Sequence, residues 1–163
     1  MTTKADFTEE EWTRLKRGPF IAGMAISIAD PGGPIEAIKE TAAALKTVTT
    51  AADSGTRGEF VAMLAGEVTE ETRQRQNPLA GFKPKGALAG QEILDELRAV
   101  NGIVTDKAAP EEAAAYRDWL LDAAKESADA AKEGGFFGFR AERVSEGEQR
   151  MLDQLAGVLG APA

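Results

Sequence analysis

Phe20-Ile21-Ala22-Gly23-Met24-Ala25-Ile26-Ser27-Ile28-Ala29 carries no charge and a single hydroxyl. Rolled into a helix, this stretch is apolar on every side. Such a helix is stable in water only when other elements sheathe it. It is far shorter than the roughly 20 residues a membrane span needs. The stretch therefore reads as the central strut of a soluble helical domain, and the rest of the chain is expected to pack around it.

Working outward, Phe7-Thr8-Glu9-Glu10-Glu11-Trp12 has the marks of a helix start. Thr8 caps, Glu11 completes a capping box three residues on, and Phe7 staples onto Trp12. Gly18 is expected to stop this helix, with Pro19 opening the strut as a separate one. Asp30-Pro31-Gly32-Gly33-Pro34 then breaks the chain. Beyond it, Ile35, Ile38, Ala42, Leu45, Val48 and Ala52 step by three and four as one helical stripe. After a loop over 53–58, Phe60, Val61, Leu64 and Val68 mark a short helix, and a separate helical turn is expected over 69–76. Residues 69–86 read as an exposed linker.

Leu88, Ile93, Leu94, Leu97, Val100 and Val104 define the next helix, expected to end before Asp106. Pro110 opens a long one with Tyr116, Trp119, Leu120, Ala123, Ala124, Ser127 and Ala131 on one face, closed by Gly134-Gly135. Ser145 and Glu148 form another capping box, followed by the stripe Met151, Leu152, Leu155, Val158, Leu159. No alternating strand pattern appears. The predicted class is all-α: one domain, residues 1–163, bundling about six or seven helices in the manner of helical bundles generally.

The chain also hints at two similar halves, 8–68 and 87–160. A shift of 76 superposes Asp30, Pro34, Glu36, Ala37 and Leu45 on Asp106, Pro110, Glu112, Ala113 and Leu121. A shift of 91 lays Ser54, Phe60, Val61, Leu64 and Val68 on Ser145, Met151, Leu152, Leu155 and Leu159. Internal duplication and chance likeness between helices both account for this.

Composition narrows the chemistry. Among 163 residues there is no Cys and no His. This excludes disulfides, thiolate nucleophiles, Cys/His zinc sites and any His-assisted catalytic triad. An enzyme would have to work with carboxylates, Lys, Arg, Ser, Thr or Tyr116. The net charge of −8 argues against nucleic acid or anionic lipid as partner, since clustered cations drive such binding. The polar, acidic opening of the chain fits no targeting segment, so a cytoplasmic setting is expected.

Three places stand out as candidate sites. Asp30 and Glu36, like Asp106 and Glu112, lie six residues apart across a helix-breaking turn. Such pairs can offer oxygen ligands to Ca²⁺ or Mg²⁺. Equally, an Asp in a turn and a Glu near a helix N-terminus are favourable on local grounds alone. Lys132-Glu133-Gly134-Gly135-Phe136-Phe137-Gly138-Phe139-Arg140 sets three Phe among three Gly. Exposed, Phe136, Phe137 and Phe139 with Arg140 would form a partner-binding patch; buried, the rings would plug the bundle end. Arg73, Arg75, Lys83 and Lys85 around Phe82 form a basic loop, which in an acidic chain reads as a solvated segment rather than a nucleic-acid surface.

The two acidic junctions, Ala29-Asp30…Glu36 and Thr105-Asp106…Pro110-Glu111-Glu112, resemble those of the TerB-like tellurite-resistance family of small helical bacterial proteins. This chain has Pro31 and Lys107 where that family usually has Gly. The resemblance implies an α-helical fold, a stress-response setting and metal held by acidic residues. More broadly, the chain resembles bacterial helical proteins that end in a Gly-Gly-Phe-x-Gly-Phe loop and a capped helix, a likeness that implies no activity.

The leading expectation is a non-enzymatic cytoplasmic accessory protein, bacterial in origin and without a cofactor. It would bind another protein through an acidic surface or the Gly/Phe-rich stretch. The second reading is a divalent-cation-binding protein using Asp30, Glu36, Asp106 and Glu112; the third is an enzyme of undetermined reaction. A homo-oligomer is compatible with each.

Overall fold

The computed structural model describes residues 1–29, 34–133 and 145–160, with the backbone alone described at 34–40 and 131–133. Six α-helices make up the described chain: α1 (Glu9–Ala29), α2 (Pro34–Ser54), α3 (Glu59–Arg73), α4 (Ala89–Lys107), α5 (Pro110–Glu133) and α6 (Glu146–Leu159). Short 3₁₀ turns lie at Lys4–Asp6 and Gly86–Leu88, and no strand occurs among the described residues. The all-α class is thus the class observed.

Helix α1 begins as its sequence dictates. The Glu11 amide donates to the Thr8 hydroxyl at 3.1 Å, and the Thr8 amide donates back to the Glu11 carboxylate at 2.8 Å. Phe7 packs on Trp12 with ring centroids 5.6 Å apart. The expected break at Gly18-Pro19 is absent, and α1 runs unbroken from Glu9 to Ala29. Proline inside a helix strips one hydrogen bond, here from the carbonyl of Leu15 four residues back. The Tyr116 hydroxyl of α5 donates to that carbonyl at 2.9 Å. Local propensity predicts a stop at this point; a tertiary partner removes the reason for it.

The strut is enclosed as expected. Ile21, Ala22, Ala25 and Ile26 are fully buried, Phe20 and Gly23 are buried, and Met24 is half-buried. Only Ile28 near the helix end reaches 36% exposure. Burying an aliphatic side chain stabilises a fold by about 1.5–3 kcal/mol, so this segment is a principal source of stability. Helix α1 packs on each of the other five helices.

Helices α1 and α5 lie side by side. Leu15 meets Tyr116, Gly18 meets Leu120, and Gly23 meets Ser127. Both numbers rise together, so the two helices run parallel. Small residues make the approach close: a Cβ at Gly23 would stand 2.9 Å from the Ser127 hydroxyl and 3.3 Å from the Ala44 Cβ. Gly23 therefore marks the meeting of α1, α2 and α5. Around the other end, Phe7, Trp12, Phe60, Tyr116 and Trp119 form a chain of ring contacts with centroids 5.6–6.4 Å apart. Contacts of this spacing favour offset and edge-on aromatic pairs.

Helix α6 closes the bundle against α1, α4 and α5. Its capping box forms as read from the sequence, with Glu148 N to Ser145 Oγ at 3.2 Å and Ser145 N to the Glu148 carboxylate at 2.8 Å. A partly buried polar bridge ties it in. Arg117 donates to Asn101 Oδ1 and to Thr105 Oγ1, each at 2.7 Å, and Asn101 donates to the Val158 carbonyl at 2.9 Å. Extended packing of α1 on α5 has no counterpart of similar extent between α4 and α2.

Other details differ from expectation. The inward face of α2 is centred on Ala44, Val48 and Ala51, while Ala42 is exposed; Ile35 and Ile38 fall among residues whose side chains are not described. Helix α3 continues to Arg73 without a separate turn, because Val68 is buried and Thr69 and Thr72 return their hydroxyls to its own carbonyls. Helix α4 includes Asp106 and ends at Lys107. Leu88, placed on its stripe by spacing, precedes the helix and is 68% exposed. Among the described residues, no helix is long and apolar enough to cross a membrane.

Candidate functional site

Of the four carboxylates picked out as metal ligands, the Asp30 backbone and the Glu36 side chain lie outside the described residues. Asp106 is exposed in the last turn of α4. Glu112 has other employment. It accepts from the Thr2 amide at 3.2 Å to each oxygen, from the Thr2 hydroxyl, and from the Ala109 amide at 3.3 Å. The Ala109 amide also donates to the Thr2 hydroxyl at 3.1 Å. Glu112, the third residue of α5, reaches back to the amide of Ala109 just before the helix, as the Glu of a capping box does, and Thr2 holds that carboxylate in place while sharing the same amide. Partial burial pushes the Glu112 carboxyl up, yet the bonds from Thr2 and Ala109 outweigh it and hold its pKa below the ordinary value. Among the described residues, no three acidic side chains gather closely enough to hold a metal ion.

Phe136, Phe137, Phe139 and Arg140 also lie outside the described residues. The basic loop can be placed. Arg73, Arg75, Lys83 and Lys85 are exposed, while Leu79 and Phe82 fold inward onto the core. Arg75 takes a left-handed backbone, φ 61°, where α3 gives way to the loop. The loop is therefore anchored by its apolar residues with its cations outward.

That anchoring leaves a shallow, open groove of about 400 Å³ between the loop, α1 and α4, lined by Arg14, Phe82, Lys83, Glu92, Asp95 and Glu96 among others. Glu96 is largely buried and forms a two-pronged pair with Arg14, Nε and Nη2 each at 2.8 Å. Paired bonds of this kind fix both side chains and are stronger than neutral ones. The Glu96 bond keeps the Arg14 guanidinium even more firmly charged. Glu92 and Asp95 remain exposed along the rim. Glu92 accepts the Lys85 amide at 3.3 Å; Asp95 accepts Gln91 at 2.8 Å and Arg98 at 2.7 Å. The groove thus offers an aromatic ring beside two solvent-facing carboxylates.

A second recess, of 350 Å³, lies where α2 and the loop after it meet α5, lined by Lys46, Thr50, Thr56, Arg57, Asp122 and Glu126 among others. Gly55 and Gly58 shape that loop with φ of 57° and 85°, conformations that disfavour other residues. Arg57 reaches from it to Asp122 of α5. Neither recess is announced by a motif: the first is built almost wholly from residues 82–96 with Arg14 added by α1, and the second joins residues 46–57 to Asp122 and Glu126 of α5. The only local signal was the run Phe82-Lys83-Pro84-Lys85 beside Glu92, legible as charge but not as a groove.

No known family model, curated protein or solved structure matches this chain.

Proposed function

We propose that this protein is a non-enzymatic accessory protein that holds a basic segment of a protein partner in the groove between the 82–85 loop and α4. The observation carrying the reading is the placement of Phe82 beside Glu92 and Asp95. An Arg or Lys side chain has an apolar stem and a charged head. Its stem suits the ring and its head suits the rim carboxylates. Long-range attraction works in the same direction, since a net charge of −8 speeds the approach of a cationic partner. The paired Arg14 and Glu96 beneath would keep the groove's shape while the partner docks. The cytoplasmic and bacterial setting expected from the sequence belongs to the same proposal.

The test is fluorescence polarisation with a labelled, unstructured arginine-rich peptide. Saturable binding is expected that weakens with salt, and the double charge reversal Glu92→Lys with Asp95→Lys should weaken it at least about tenfold. Equal binding by the reversed variant would remove the groove from consideration. Because both side chains are exposed, the fold should survive the change.

A further inference from the structure

The recess between α2 and α5 shares no lining residue with the groove just described. Its charges are arranged differently. Arg57 and Asp122 neutralise each other across its edge. Lys46 and Glu126 line the same recess, and among the described residues neither takes part in an ion pair. Lys46 and Thr50 are four residues apart on α2, as Asp122 and Glu126 are on α5, so each pair shares one face of its helix. Hydroxyls line the recess as well. Ser54 and Thr56 bond to each other at 2.9 Å, and Thr50 also lines the recess. Small-molecule clefts run from about 300 to 1,000 Å³, and 350 Å³ sits at the small end.

A cation on α2 and an anion on α5, each unpaired among the described residues, and hydroxyls in the same lining are the complement of a small zwitterion. We propose that this recess is a binding site for a free α-amino acid with a polar side chain. Lys46 takes its carboxylate, Glu126 takes its ammonium, and the hydroxyls of Thr50 and Thr56 face the side chain. A ligand with one charge would satisfy one wall and leave the other unpaired.

The experiment is a titration of the ¹⁵N-labelled full chain with L-glutamine, followed by amide chemical shifts. Saturable shifts confined to residues 46–57 and 122–126 are expected. Lys46→Met and Glu126→Gln should each weaken binding at least about tenfold, and acetate and methylammonium should bind at least about tenfold more weakly than glutamine. No saturable shift up to about 50 mM glutamine would overturn the proposal. So would binding unchanged in both variants, or acetate binding as well as glutamine. Charge reversal at Glu92 and Asp95 should leave this titration unaltered, which separates the outcome from that of the groove.

Discussion

The Tyr116 hydroxyl donates to the carbonyl of Leu15 at 2.9 Å, the one carbonyl in α1 that Pro19 deprives of its helical partner. Gly18, next to that proline, leaves the space: a Cβ there would overlap the Tyr116 hydroxyl and stand 3.2 Å from both Leu120 methyls. Three residues that look unrelated in sequence therefore form one joint between α1 and α5.

Tyr116→Phe should strand a buried carbonyl and lower stability by about 1–3 kcal/mol. In a Pro19→Ala background the restored amide can serve Leu15, so the same change should cost less. Gly18→Ala should destabilise on its own and cost less once the hydroxyl is gone, since residues in contact are not additive. Urea denaturation of the single and double variants checks all three. Strict additivity would mean the joint is not a unit.

The same burial has a consequence at high pH. Loss of water, and then the negative charge of Glu96, push the Tyr116 pKa well above its ordinary value. A raised pKa means that the stability tied to the neutral phenol is complete below pH ~10 and is lost as pH climbs from there toward the folded pKa. Ultraviolet titration should show no tyrosinate until the protein unfolds. Since Tyr116 is the single tyrosine, the signal has one source.

Glu112 behaves in the opposite sense at low pH. Its folded pKa lies below the ordinary value, so its contribution is present above pH ~4.3 and is lost as pH falls through the folded pKa. Glu112→Gln keeps an acceptor for the Ala109 amide but loses the charge, and should lower stability at pH 7 by about 0.3–1 kcal/mol, the range for an acid near a helix N-terminus. The gap between variant and wild type should close on acidification. Thr2→Ala should act in the same direction, since its hydroxyl serves both Ala109 and Glu112. Urea midpoints at neutral and acid pH would check this, and a gap that widens in acid would contradict the capping role.

Much of the architecture was legible because its signals are local. The capping boxes at Thr8/Glu11 and Ser145/Glu148, the Phe7–Trp12 contact and the buried stripes of α4 and α5 follow from spacing alone. Helix ends at Arg73 and Lys107 shifted by a few residues on local grounds, and the larger misreadings arose where a distant partner decides. Pro19 reads as a helix opener until Tyr116 is placed beside Leu15. Glu112 reads as a candidate metal ligand until Thr2, from more than a hundred residues away, is placed against its carboxylate. The recess between α2 and α5 belongs to this second kind, since only the fold places Lys46 and Glu126 in one lining.

Native-state hydrogen exchange on the amides of Ile21, Ala22, Ala25 and Ile26 tests most directly whether an uncharged segment of α1, continuous through Pro19, is the centre of the molecule. These amides should exchange only through global unfolding, with protection equal to the full unfolding free energy and the same dependence on denaturant. Faster exchange there than in α4 and α5, by local opening insensitive to denaturant, would contradict it.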